Sequence, residues 1–329
     1  MKIQKVTLVS MAAVSACSMM AGILTFAAKN DVETKDISMQ NSFICLSVEQ
    51  DENQGEYLRY RLDSTGGQTA NKDDDNKNLT YHNFFSNLTT ININGQNYIY
   101  GKGTDVSEPS FNAAEKCHTS SQKFGDVVIE QKLSFAEGFT EGCEDMLKVS
   151  YKVLSASEND LIGVRIVIDP MLDNDDEALL SVNSVDIKNE SVFNEEIPKE
   201  WGAVKKDNIN VSAFGKTDGV PVMPDSIIFS NWDSLYDSLW DYEPDINKVI
   251  KDAAAAVKWN PSVNSVDKEF ATYYGIKNGA DFGGNNNVKV NSPKTGIKFP
   301  AVSIALGAVS IITATGCIIM KRREKNDEK

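Results

Sequence analysis

The chain has 329 residues, with 33 Lys+Arg against 47 Asp+Glu and a formal net charge of −14. So acidic a protein repels nucleic acid and anionic lipid at long range, which argues against DNA or RNA as a partner. Hydrophobic residues make up 41% of it, ordinary for a globular protein, and the length suits one large domain or two small ones.

In chain order, Lys2 and Lys5 form a short basic region ahead of an apolar run from Val6 to Ala28. Thr25-Phe26-Ala27 offers small residues at the positions a signal peptidase reads, so residues 1–27 read as a secretory signal cleaved after Ala27. Two other readings fit the same residues. An apolar run of this length also spans a bilayer as an uncleaved anchor. Val14-Ser15-Ala16-Cys17 fits the pattern of a lipoprotein signal, although the chain stays apolar beyond Cys17, where a mature lipoprotein turns polar. Residues 28–43 are polar and read as a flexible lead-in.

Residues 44–276 alternate strand-like runs with turn clusters, which predicts a mainly β domain: a large antiparallel β-sandwich with short helical insertions. Tyr57–Leu62 alternates, with Leu58, Tyr60 and Leu62 on one face and Arg59 and Arg61 on the other. Asn94-Gly95 lies between two β-favouring runs, and that pair suits the positive φ angles of a type I′ hairpin turn. Further strand-like runs fall at Val127–Phe135, Met146–Leu154, Leu161–Ile168 and Ile227–Phe229. Trp232, Leu235, Tyr236, Leu239 and Trp240 make one apolar stripe at helical spacing. Ile246, Val249, Ile250 and Ala253 repeat that spacing after Pro244, a plausible helix start, and predict a second helix.

Within this domain the reagents for chemistry are few. The two histidines are His82 and His118, and neither sits in a motif for a zinc site or a nucleophilic triad. No nucleotide loop or Gly-x-Ser-x-Gly elbow is found. Cys45, Cys117 and Cys143 leave two readings open: a Cys117–Cys143 disulfide, which secretion permits, or buried thiols. Carboxylates are plentiful, and the densest run is Asp169 to Glu177, after an apolar strand. Alternating oxygens at Asp173, Asp175 and Glu177 suit a Ca²⁺ ion, which takes about six to eight oxygen ligands; a solvated acidic turn is the alternative. Two carboxyl groups also suffice for a glycosidase, at a separation that sequence does not show. A glycan site wants exposed aromatic rings. The helical stripe assigns Trp232, Tyr236 and Trp240 to a core, and an apolar strand does the same for Trp259. Trp201, followed by Gly202, and Tyr242 are therefore the candidate sugar contacts.

Residues 277–291 are rich in Gly and Asn and read as a tether. Fully extended, they reach at most about 50 Å. The pentapeptide Ser292-Pro293-Lys294-Thr295-Gly296 follows, then an uncharged apolar run from Phe299 to Met320, then Lys321-Arg322-Arg323. The run is long enough to cross a bilayer as a transmembrane helix, and the basic cluster holds its end in the cytoplasm.

These three elements, in this order, resemble the C-terminal sorting signals of sortase substrates, the wall-anchored surface proteins of Gram-positive bacteria. The resemblance implies that the span and the tail (321–329) stall the secreted chain beside a membrane-bound sortase. Pro293 fixes φ and bends the peptide to suit a preformed groove. The sortase Cys would attack the carbonyl of Thr295, releasing Gly296 onward, and a peptidoglycan amine would capture the acyl group. Ser292 stands where the most familiar signal has Leu, and resembles variant signals read by certain clostridial sortases. Removing both ends strips more basic than acidic residues, so the mature product is more acidic still. The expected protein is a cell-wall-anchored extracellular binding or structural module with a glycan as candidate ligand. A two-carboxylate carbohydrate-active enzyme and a passive envelope component are the alternatives.

Overall fold

The computed structural model describes residues 37–65, 72–83, 85–139 and 141–277. The expected signal (1–27), tether, pentapeptide and membrane span (299–320) lie outside the described residues, save Lys277. Among the described residues no helix is long and apolar enough to cross a membrane.

The described chain is mainly β, and every strand pairing in it is antiparallel. In order the strands are β1 (Ile37–Gln40), β2 (Ile44–Val48), β3 (Tyr60–Ser64), β4 (Leu88–Ile93), β5 (Gln96–Ile99) and β6 (Thr104–Asn112). Next come β7 (Cys117–Phe124), β8 (Val127–Ala136), β9 (Met146–Ser155), β10 (Ile162–Ile168), β11 (Leu179–Val182) and β12 (Val185–Ile187). The last are β13 (Ser191–Phe193), β14 (Glu200–Val204), β15 (Ser212–Lys216), β16 (Ser226–Asn231), β17 (Ala253–Ser262) and β18 (Glu269–Gly275). One helix, α1 (Trp232–Ser238), follows β16 directly.

Three sheets result. The first orders β1-β2-β3, the second β13-β16-β17-β10-β4-β5, and the third, of nine strands, β12-β11-β14-β15-β18-β9-β8-β7-β6. Period-2 patterning explains the third. Along β8, Val127, Ile129, Gln131, Leu133 and Phe135 are buried while the residues between them are partly exposed, as a strand with one covered face requires. In the second sheet β10 is buried at every position. Its Ile162, Val164, Ile166 and Ile168 join a core shared with Leu46 and Leu62 of the first sheet and Val149 and Tyr274 of the third. The opposite face, through Val167, meets Leu235 of α1. The hairpin between β4 and β5 turns at Asn94 (φ 53°) and Gly95 (φ 86°), both left-handed as a type I′ turn demands.

Two expectations are corrected. Residues 37–40, placed in the flexible lead-in, form β1, because Met39 is buried in the core and the strand pairs with β2. Ile246, Val249, Ile250 and Ala253 form no helix. Ile246 and Val249 are 72% and 54% exposed, Asn189 pairs with Val249, and Ala253 opens β17. A strand held on both sides, by β10 and β16, outweighs a short helical pattern.

Candidate functional site

Antiparallel pairing fixes which chain ends meet. Ile168 of β10 faces Ala255 of β17, and Val167 faces Leu88 of β4. The residue after β10, Asp169, and the one before β17, Asp252, therefore come to the same end of the second sheet. The segment leading into β4 secures Asp169, whose N–H donates to Asn87 Oδ1 at 2.9 Å while its carbonyl accepts from Tyr81 N at 3.1 Å. Beyond Asp169, Leu172 and Asp175 exchange backbone hydrogen bonds at 3.0 Å around Asp173, whose φ is 63°. That tight turn sends the chain back, and the carbonyl of Asp176 accepts from Ala253 N at 3.3 Å. Asp169, Asp176 and Asp252 thereby each offer a carboxylate oxygen, all within 4.8 Å of one another. Such a group could hold a metal ion.

The electrostatics match the geometry. Asp169 is only 3% exposed, and its Oδ1 has no hydrogen-bond partner. Burial pushes its carboxyl well above the usual range; the Ser86 hydroxyl draws it partly back, and the charges of Asp252 and Asp176 push it up again. Asp252 is raised to about 6, chiefly by burial, with Asp176 and Asp233 adding to it. Burial also raises Asp176, whose Oδ1 is likewise unpartnered; Asp175 and Glu177 reinforce that shift, and His82 opposes it. Three carboxylates this close do not all ionise without a proton or a cation among them.

The carboxylates expected to bind Ca²⁺ are placed otherwise. Asp173 faces Lys77 at 3.2 Å and Lys205 at 3.4 Å. Asp175 accepts from the backbone N–H of Glu177 at 3.1 Å and of Lys206 at 2.7 Å. Glu177 pairs with Lys206, which holds its carboxyl below the usual range. An i, i+2, i+4 pattern converges only in a suitable loop. Here the turn at Asp173 divides it, and the structure does not gather the three. The residues that do converge include two from the same acidic run, Asp169 and Asp176. Asp252 was hidden in the segment that reads as helix.

Both candidate sugar contacts are also engaged. Trp201 is 1% exposed, stacked on Tyr274 with ring centroids 5.6 Å apart, and is a core residue rather than a surface one. Tyr242 is half-buried, and its hydroxyl donates to Glu190 Oε2 at 2.5 Å. Glu190 also accepts from Asn231 Nδ2 and from Asp245 N, each at 3.1 Å. Burial works against the charge on Glu190, but these hydrogen bonds outweigh it and hold the carboxyl at about 2.

Of the expected helical stripe, α1 carries Trp232, Leu235 and Tyr236; the helix ends at Ser238, with Leu239 at φ 54° and Trp240 beyond it. Leu235 and Trp240 are buried, while Trp232 and Tyr236 are half-buried and stacked at 4.6 Å. Trp259 is buried as expected, its Nε1 donating to Val222 O at 2.9 Å. His118 is fully buried, with Nε2 2.9 Å from Gln50 Nε2, and burial lowers it to about 4. His82 is exposed beside Asn78. Cys117 is a buried free thiol, so the Cys117–Cys143 bridge is not formed.

No family model and no curated protein matches the chain. Among solved structures it is similar to a 4-alpha-glucanotransferase from Thermococcus litoralis, at 11% identity and a TM-score of 0.38. The similarity covers 78% of this chain and 39% of that one, so the chain spans about two fifths of its length. A likeness at that level assigns neither fold nor activity.

Proposed function

We propose that this protein is an exported, cell-wall-anchored β module of a Gram-positive surface, acting by binding or as structure rather than by catalysis. The observation that carries the reading is the order of three C-terminal elements: Ser292–Gly296, the apolar run 299–320 and the basic cluster 321–323. A sortase and peptidoglycan, joined through Thr295, are the partners this order implies. The folded part that would be displayed is mainly β, with three sheets sharing one core.

The glycan reading narrows to the half-buried pair Trp232 and Tyr236, because Trp201 is core and Tyr242 is tied to Glu190. The carbohydrate-active enzyme loses ground at the acidic cluster. Asp169 is only 3% exposed, too deep to meet a glycosidic oxygen. The Ca²⁺ expected of the acidic loop passes, in this reading, to other carboxylates.

The test is fractionation of cells carrying Thr295→Ala or lacking 292–296. Both variants should leave the wall fraction and collect in the membrane fraction. Wall attachment that survives either change contradicts the proposal.

A further inference from the structure

We propose that Asp169, Asp176 and Asp252 bind one Ca²⁺ ion that fastens the end of β10, the acidic loop and the start of β17 together. An acidic cluster alone would carry little, since exposed carboxylates often gather without an ion. Here a second observation points inward: Asp169 is almost fully buried with Oδ1 unpartnered, and Asp176 Oδ1 is orphaned too. Buried polar atoms are nearly always satisfied, so two orphaned oxygens on carboxylates of the same cluster mark a missing partner.

Three carboxylates this close need a proton or a cation among them, and the protein supplies no cation; the proposal places the metal there. Asp173 and Glu177 nearby have their lysines. Among the described residues, none of the three converging carboxylates forms an ion pair with Lys or Arg. All three donors are hard oxygens, which select Ca²⁺ or Mg²⁺ over softer transition ions. The coordination habits of the two ions decide between them. Mg²⁺ demands near-octahedral geometry and keeps several waters, whereas Ca²⁺ accepts an irregular set of about six to eight oxygens. Three carboxylate oxygens within 4.8 Å of one another, one of them from a buried aspartate, suit Ca²⁺. Asp176 and Asp252 are half-buried, so water reaches that side to complete the coordination shell.

The role follows from position. The ion would clamp strand ends 83 residues apart in sequence (169 and 252) and fix the loop between them. Ca²⁺ would thus stabilise the domain outside the cell, where it is abundant, and leave a chain with repelling carboxylates where it is scarce. This inference does not depend on the wall anchor.

The experiment uses the full-length chain in detergent, stripped with chelator and melted at pH 7.5 with CaCl2, MgCl2 or ZnCl2. Ca²⁺ at a hundredfold excess over Kd should multiply the folded-to-unfolded ratio about a hundredfold, a rise in melting temperature of roughly 5–10 °C. Asp252→Asn should abolish that rise, and Glu177→Gln should keep it. In chelator, Asp252→Asn should melt no lower than the parent, because a neutral amide relieves the repulsion; a merely structural aspartate would show a loss. Asp169→Asn repeats the test at the deeper position. The proposal is overturned by no rise with Ca²⁺ or an undiminished rise in Asp252→Asn. A rise with Zn²⁺ alone overturns it as well, and would move the assignment to a softer site including His82.

Discussion

Trp201 lies stacked on Tyr274, ring centroids 5.6 Å apart and planes 23° from parallel, with Gly215 close against the indole. A Cβ at Gly215 would fall 2.1 Å from indole atoms. Glycine is therefore required by the close approach of β15 to the indole of Trp201, its cross-strand partner in β14. Trp201→Ala should cost about 3–5 kcal/mol, as truncation of a buried aromatic does. Gly215→Ala should destabilise too, by overpacking, at roughly 1–3 kcal/mol. Denaturant melts of both variants check this, and a Trp201→Ala chain as stable as the parent would return that ring to the surface.

Glu190 predicts a pH dependence of definite sign. Its carboxyl sits at about 2 in the folded chain, well below the ordinary glutamate value. A depressed carboxylate stabilises above its unfolded value, and the contribution is lost as pH falls from there through the folded value. The parent should therefore lose stability relative to Glu190→Gln between about pH 5 and pH 2. Above pH 5 the parent should be the more stable. Thermal melts of the pair across that range are the check. A constant difference at every pH would mean that the charge of Glu190, held by Tyr242, Asn231 and Asp245, carries no weight.

Trp240 and Trp232 should part company. Trp240 is 5% exposed and crowds Gly163, where a Cβ would lie 2.7 Å from its ring, so Trp240→Ala should lower the melting temperature markedly. Trp232 is half-buried and stacked on Tyr236. If a glycan is the ligand, Trp232→Ala should lose glycan affinity at a smaller cost in stability. Melts and glycan binding on the same preparations separate the two, and equal melting losses without any change in binding would remove the sugar-stacking role.

Much of the fold was legible because it rests on local patterns. The alternation of Tyr60 and Leu62, the apolar residues of β10 and the Asn94-Gly95 turn each state their own geometry, whereas Leu58 lies in a turn before β3 at φ 61° and Arg59 is buried. What failed depended on distant partners. Ile246 to Ala253 has a helical spacing, but Ala253 onward is claimed by β10 and β16, which no local window contains. The acidic run stands out by its density, but density does not say which of its members converge. Asp173 and Glu177 are answered by lysines, while Asp169 and Asp176 converge on Asp252, which lies 76 positions beyond Asp176 in the chain. Trp201 beside Gly202 resembles an exposed turn until its ring is seen against Tyr274.

The central claim is covalent attachment to the wall, and the mature C-terminus tests it most directly. Protein released from purified walls by a muralytic enzyme should give, on digestion and mass spectrometry, a terminal peptide ending at Thr295 in amide linkage to a cell-wall amine. No peptide from residues 296–329 should accompany it. A chain in the wall fraction that remains intact to Lys329, or that ends elsewhere than Thr295, would contradict the account.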